Sequence, residues 1–258
     1  GDHRDLHSFP TRRSSDLACE VGDTSVFRFC KTMELKGYQE FKMMLSLSIS
    51  EGQEDMDQFT GNNISLDDSF GELAKKVLNT NINALTETYS LIREEDVNQA
   101  IIMLHEARRI FFFGVGASML TAMKAMNKFL RIENKVFGIQ DSHMQSMAAA
   151  TMSAQDVAVM FSYSGATKDT IHVAEVAKKA GSKIICVTRF VKSPLSAYAD
   201  ITLLSGANEG PLQGGSTSAE ISQLFLIDLL YMEYYKRYFN QCSANNEKTS
   251  ASVAEKMC

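Results

Sequence analysis

The chain has 258 residues, 45% hydrophobic and 22% charged, an ordinary globular balance that excludes wholesale disorder. Its 26 Lys and Arg stand against 31 Asp and Glu, for a net charge of -5. That excludes a polyanion binder held by bulk charge, so any nucleic-acid contact must come from a local element.

Residues 1–17 (GDHRDLHSFPTRRSSDL) show no apolar periodicity and lack the apolar core of a signal peptide. They resemble a translated sequencing-adapter read-through, the alternative being a disordered native tail, and are set aside from fold and site reasoning. Residues 18–50 read as helical. Val26, Phe29, Cys30 and Met33 fall at i, i+3, i+4, i+7, with Thr24, Ser25, Arg28 and Lys31 on the other side. Asp23 sits where an N-cap would, and Lys36-Gly37 reads as a helix stop before a second helix, Tyr38–Leu47. Residues 51–69, acidic and rich in Gly and Asn, form a linker.

Helix returns over 70–104, with apolar stripes at Leu73, Val77, Leu78, Ile82, Leu85, Tyr89 and Ile92, then at Val97, Ile101 and Leu104. Beyond it, apolar runs alternate with helical segments. The runs are Ile110–Phe113, Lys135–Ile139, Val157–Phe161, Lys183–Thr188 and Ile201–Leu204. The helices are Ser118–Ile132, Ser142–Met152, Thr167–Ala180, Pro194–Tyr198 and Ser218–Phe239. Continuous apolar runs mean strands buried on both faces, as in a parallel sheet covered by helices. Residues 105–240 therefore read as a doubly wound, five-stranded parallel α/β domain in flavodoxin-like order. Residues 241–258 look like a polar, frayed tail. No apolar stretch approaches a membrane span, since 110–113 and 224–230 break at charged or polar positions.

In such a sheet, ligands bind beyond the carboxyl ends of the strands, where strand order reverses. After the first strand comes Gly114-Val115-Gly116-Ala117-Ser118, whose glycines let the backbone approach a ligand and whose helix start offers free N–H groups. After the third comes Ser162-Tyr163-Ser164-Gly165-Ala166-Thr167, three hydroxyls and a glycine at another helix start. Each alone could be a tight turn or an N-cap; on neighbouring strands they point to a phosphate site. The third glycine of a dinucleotide fingerprint would be Met119, and no Walker A motif occurs. Five Cys without a C-x-x-C fit a reducing cytoplasm. His105, His143 and His172 are too scattered for a metal site. Neither metal nor cofactor is expected. Cys186, His172 and the Met119, Met123, Met126 group read as structural. Tyr231, Tyr234, Tyr235 and Tyr238 would cover the sheet or form a subunit contact.

The two loops resemble the sugar isomerase (SIS) domain, with S-x-S-G-x-T at Ser162–Thr167 and G-x-G-x-S at Gly114–Ser118. The resemblance implies a sugar phosphate held around Gly114, Gly116, Ser118, Ser162, Ser164, Gly165 and Thr167. It puts Asp141-Ser142-His143 and the stretch Glu209–Glu220 nearer the sugar, with Glu220 among the binding residues. The sequence departs at Ala166, where the superfamily's enzymes often carry Glu. Val21–Lys31 with Leu35–Lys42 resembles the turn, recognition helix and next helix of RpiR-type (MurR/RpiR) bacterial transcription regulators, which join a helix-turn-helix to an SIS domain. By that likeness Thr24, Ser25, Arg28 and Lys31 face DNA, as reading of the major groove requires.

The expected protein is thus a cytoplasmic, sugar-phosphate-responsive transcription regulator without a catalytic role, a homodimer or higher homo-oligomer. The rival is an SIS-type isomerase or lyase using His143, Glu209 or Glu220 as base. A bare sugar-phosphate-binding module is the third reading. Because the family's pattern is entered only at about Ala18, operator DNA is expected to bind this chain weakly or not at all and the full-length form specifically.

Overall fold

The computed structural model describes residues 23–35, 37, 38, 40, 41, 44, 64–207 and 217–254. They divide into two compact units, one reaching to Ala84 and including Ala207–Ala219, the other Leu85–Gly206 with the chain from Glu220 onward.

In the first unit, α1 (Asp23–Thr32) carries the expected recognition pattern. Of its expected apolar face, Cys30 is fully buried, whereas Phe29 and Met33 are about half exposed; Phe29 meets the Phe41 ring edge-on at 5.2 Å. The stop expected at Lys36-Gly37 comes earlier. Glu34 takes φ +59°, and Leu35 N–H donates to Cys30 O while Glu34 N–H donates to Lys31 O. This pair of bonds closes the helix as a Schellman turn, so a non-glycine residue bears the left-handed strain. α2 (Phe70–Leu91), whose residues from Leu85 onward belong to the second unit, starts with a capping box. Ser69 N–H donates to Glu72 Oε2 at 2.9 Å and Glu72 N–H to Ser69 Oγ at 3.4 Å, so donors at the helix start are satisfied in return. The linker at 51–63 and the second helix beyond Met44 lie outside the described residues.

In the second unit, α3 (Glu94–Glu106) leads into five parallel strands. These are β1 (Arg109–Phe113), β2 (Val136–Gly138), β3 (Asp156–Phe161), β4 (Lys183–Thr188) and β5 (Ile201–Leu204). Between them run α4 (Ala117–Leu130), α5 (Ser142–Ala150), α6 (Lys168–Lys179) and one turn of 3-10 helix, Ser196–Tyr198. The sheet order is β2-β1-β3-β4-β5, the flavodoxin-like order expected, and the strands start and end within two residues of the predicted runs. Alternate strand residues feed two cores. Phe112, Val159, Phe161, Ile185 and Leu203 pack with α3, α4 and α7 (Thr217–Arg237), while Phe111, Phe113, Met160, Ile184 and Cys186 pack with α5 and α6. Burial pushes the Cys186 thiol up to about 12, so it behaves as an inert core residue. Tyr234 is fully buried, with Tyr231, Tyr235 and Tyr238 packed beside it. His172, expected to be structural, is exposed on α6. No helix among the described residues is long and apolar enough to cross a membrane.

The expected frayed tail is instead helix α8 (Phe239–Ala254). Its polar composition hid the contacts that dock it. Glu133, 4% exposed, accepts from Tyr234 Oη at 2.5 Å and Gln241 Nε2 at 2.7 Å, and Asn245 Nδ2 donates to Ile132 O at 2.9 Å. Hydrogen bonds to a buried carboxylate replace the apolar stripe that periodicity looks for.

At the amino ends of β1 and β3, Asp156 is fully buried. It accepts from Arg109 Nε (3.0 Å) and Nη2 (2.8 Å) and from Ser153 N and Oγ. The Arg109 guanidinium holds the Asp156 carboxyl below the usual carboxylate range. A depressed folded pKa contributes stability above the unfolded value of about 3.9, lost as pH falls through the folded value. Asp156→Asn should therefore cost roughly 3 kcal/mol at pH 7. The difference from wild type should shrink in urea melts taken below about pH 4. A pH-independent difference would assign the cost to packing alone.

Candidate functional site

Parallel pairing of Phe113 with Met160 brings the exits of β1 and β3 side by side at the reversal of strand order. Each strand runs directly into a loop and then a helix, so two helix N-termini arrive at the same edge. Neither is closed by its own side chains. Gly116 at the start of α4 has no side chain to offer, and Thr167 at the start of α6 makes no cap hydrogen bond. By contrast Asp141 caps α5, accepting from Met144 N–H at 2.9 Å. The N–H groups of the first turns of α4 and α6 thus lack capping side chains, the arrangement that binds anions.

The backbone of both loops depends on glycine. Gly116 adopts φ +60° and ψ −132°, a region closed to side chains, although nothing lies within 4 Å of where a Cβ would stand. Gly165 has φ +58°, and a Cβ there would meet Ser193 Oγ at 2.2 Å. The Ser162–Thr167 loop is tied inward: Ser162 N–H donates to Val187 O, Gly165 N–H to Ser162 O, and Ala166 N–H to Ser164 Oγ. Ser162 is buried with its Oγ 3.4 Å from Thr167 Oγ1, while Ser164, Thr167 and Ser118 are half-buried at the surface of the loops. The arrangement offers hydroxyls and N–H groups to an anion without an Arg or Lys side chain in either loop.

The structure brings Gly114, Gly116 and Ser118 onto one strand end and Ser162, Ser164, Gly165 and Thr167 onto its neighbour. Glu220 stands half-buried in the first turn of α7; residues 208–216 before it lie outside those described. His143 is exposed at the start of α5. Ser25, Arg28 and Lys31 are exposed along α1, and the Thr24 side chain lies outside the described part. No group of three or more His, Cys, Asp or Glu poised for a metal occurs among the described residues.

Two supports escaped the sequence reading. Gln145, 1% exposed on α5, donates through Nε2 to both Gly114 O and Ile139 O at 2.9 Å, fixing the first loop from below. The end of β4 and the chain after it hold the second loop, with Leu195 N–H donating to Gly165 O and Thr188 Oγ1 donating to Tyr163 O. Neither carries a local signal, apart from the Ser193-Pro194 turn that marks the end of the second support.

Comparison with known proteins fits this geometry. The SIS domain family matches residues 103–233, and the RpiR-type helix-turn-helix domain family matches residues 10–52, starting within the stretch set aside on composition. A helix-turn-helix-type transcriptional regulator of Haemophilus influenzae is 35% identical over 212 residues, 82% of this chain and 74% of that protein. The regulator RpiR of Escherichia coli is 28% identical over 248 residues, 96% of this chain and 82% of that protein. Among solved structures, the NanR protein of Vibrio vulnificus complexed with ManNAc-6P superposes with a TM-score of 0.85 at 26% identity. It covers 97% of this chain and 88% of that one.

The two positive-φ glycines differ in what surrounds them, so their alanine variants should rank. Gly116→Ala meets only conformational strain, about 1–3 kcal/mol. Gly165→Ala adds the collision with Ser193 and should cost more in urea denaturation, with the larger loss of loop protection in hydrogen exchange. Equal costs would mean that Ser193 moves freely aside.

Proposed function

The chain belongs to the family of RpiR-type helix-turn-helix transcriptional regulators that carry an SIS domain, and on that premise we propose that its SIS domain senses a phosphorylated sugar. The observation that carries the reading is the pair of helix N-termini without side-chain caps, set among Ser118, Ser162, Ser164 and Thr167 at the switch point of the sheet. A dianionic phosphate satisfies those N–H groups better than water does, and the helix dipoles favour its charge. The complex of NanR with ManNAc-6P supports the same ligand class. The sugar would lie toward Glu220.

DNA contact falls to Thr24, Ser25, Arg28 and Lys31 on α1, and operator DNA is the macromolecular partner. The protein works in the cytoplasm and has no catalytic role; its relatives named as regulators support that assignment. Occupation of the SIS domain must favour one arrangement of the regulator over another, since a ligand with equal affinity for both shifts nothing.

Two features support a homodimer. Helix-turn-helix proteins read paired half-sites, which asks for two-fold symmetry. Moreover α2 exposes Phe70, Leu78, Ile82 and Tyr89, large apolar side chains that a second copy of the chain would cover.

In a thermal-shift assay, a phosphorylated sugar should stabilise the protein by about 2.7 kcal/mol at roughly 100 times its dissociation constant, and the unphosphorylated sugar should not. Ser164→Val and Thr167→Val should each remove most of that response; an unchanged shift in both would move the site elsewhere. Light scattering should return about twice 28.6 kDa, and Leu78→Glu should lower it. A wild-type mass near 28.6 kDa would count against the dimer.

A further inference from the structure

The exit of β4 touches the anion loop through its main chain and α2 through a side chain. Arg189 N–H donates to Tyr163 O at 3.0 Å, and Thr188 Oγ1 donates to the same carbonyl at 3.1 Å. Tyr163 lies between Ser162 and Ser164, so this carbonyl belongs to the segment that would close on a phosphate. From the same residue, the Arg189 guanidinium reaches Glu87 of α2, with Nη2 2.6 Å from Oε1. The two side chains are 19% and 33% exposed, less open to solvent and screening than a surface ion pair.

The next residue of α2 is gripped as well. Thr88 is fully buried and its Oγ1 accepts from Gly206 N–H at 2.9 Å. A Cβ on Gly206 would stand 2.5 Å from Thr88 N, so the exit of β5 presses against the backbone of the same helical turn. One turn of α2 is therefore held by the exits of two adjacent strands, and one of these exits also holds the anion loop. α2 continues unbroken to Phe70, and the chain before it leads through the linker to the helix-turn-helix segment.

Resting on the reading of Ser162–Thr167 as the effector loop, we propose that the Glu87–Arg189 ion pair passes occupation of that loop to α2. An anion that draws in the N–H groups of the loop pulls on the Tyr163 carbonyl. Arg189, bound to that carbonyl through its main chain, carries the displacement to the carboxylate on α2. An ion pair suits the task because Coulomb attraction falls only as 1/r and survives small displacements that break a neutral hydrogen bond. The pair therefore stays closed while the loop moves, and the difference between the states is expressed in the position of α2. The pair is a positioning and coupling element, and its side chains need not touch the ligand.

Hydrogen–deuterium exchange on the full chain tests this, with inorganic phosphate as the probe against chloride at equal ionic strength. In the wild type, phosphate should slow exchange at residues 162–167 and also at residues 85–91. In Glu87→Gln and in Arg189→Gln the slowing at the loop should persist, while that in α2 should fall by about fivefold or more, the low end of ordinary coupling. Glu87→Arg combined with Arg189→Glu should restore it, and thermal melts identify any variant that does not fold. Loop slowing without α2 slowing in the wild type overturns the proposal, as does α2 slowing that survives both single substitutions. No slowing at residues 162–167 in the wild type would instead overturn the reading of the anion site, and the coupling with it.

Discussion

Parallel pairing of β1 with β3 is the constraint on which the site depends. Because all five strands run the same way, every strand delivers its following helix from the same edge of the sheet, amino end first. Because the order reverses between β1 and β3, the helices after these two strands leave for opposite faces, α4 into one core and α6 into the other. Their N-termini flank a crevice that no side chain has to carve. Binding a phosphate there asks little more of the sequence than glycines where the backbone turns and hydroxyls where it ends.

The same economy explains why neither loop carries a basic side chain. Helix ends supply partial charge that is already aligned and already part of the fold, so an anion can bind with little reorganisation. The cost is conformational: two positive-φ positions must be glycine, and the loop around Gly165 must be braced. Bracing comes from the end of β4 and the chain after it, where Thr188, Arg189 and Leu195 each bond to the loop backbone. In a sensor this bracing has a second consequence, since whatever holds the loop also feels its occupation.

At the opposite end of β1 and β3, the structure spends polar groups on holding elements in place. Asp156 and Glu133 are both buried carboxylates, and each is surrounded by donors: Arg109 and Ser153 for the first, Tyr234 and Gln241 for the second. A buried charge so satisfied fixes geometry more than it adds stability, because its desolvation offsets much of its attraction. The first pair sets β1 against β3. The second docks α8, which exposes little apolar surface to dock with.

Strands, their order and the two loops of glycine and hydroxyl residues after β1 and β3 were legible in the sequence because their causes are local. Continuous apolar runs such as Val157–Phe161 report burial on both faces, and glycines beside hydroxyls report a turn into a helix. The family resemblance then added a ligand class that spacing alone could not supply. What remained hidden lies in contacts between residues distant along the chain. Gln145 beneath Gly114, Arg189 bridging to Glu87, and Glu133 receiving α8 join residues 31 to 108 positions apart, and none leaves a periodic trace. The left-handed turn at Glu34 was misplaced for a related reason, since glycine at 37 advertises a stop that the hydrogen bonds place three residues earlier. Local chemistry therefore determined the strands, their order and the two loops that turn from β1 and β3 into helices. Only the tertiary structure decided what braces that backbone, because partners across such separations are chosen by packing and not by their neighbours in sequence.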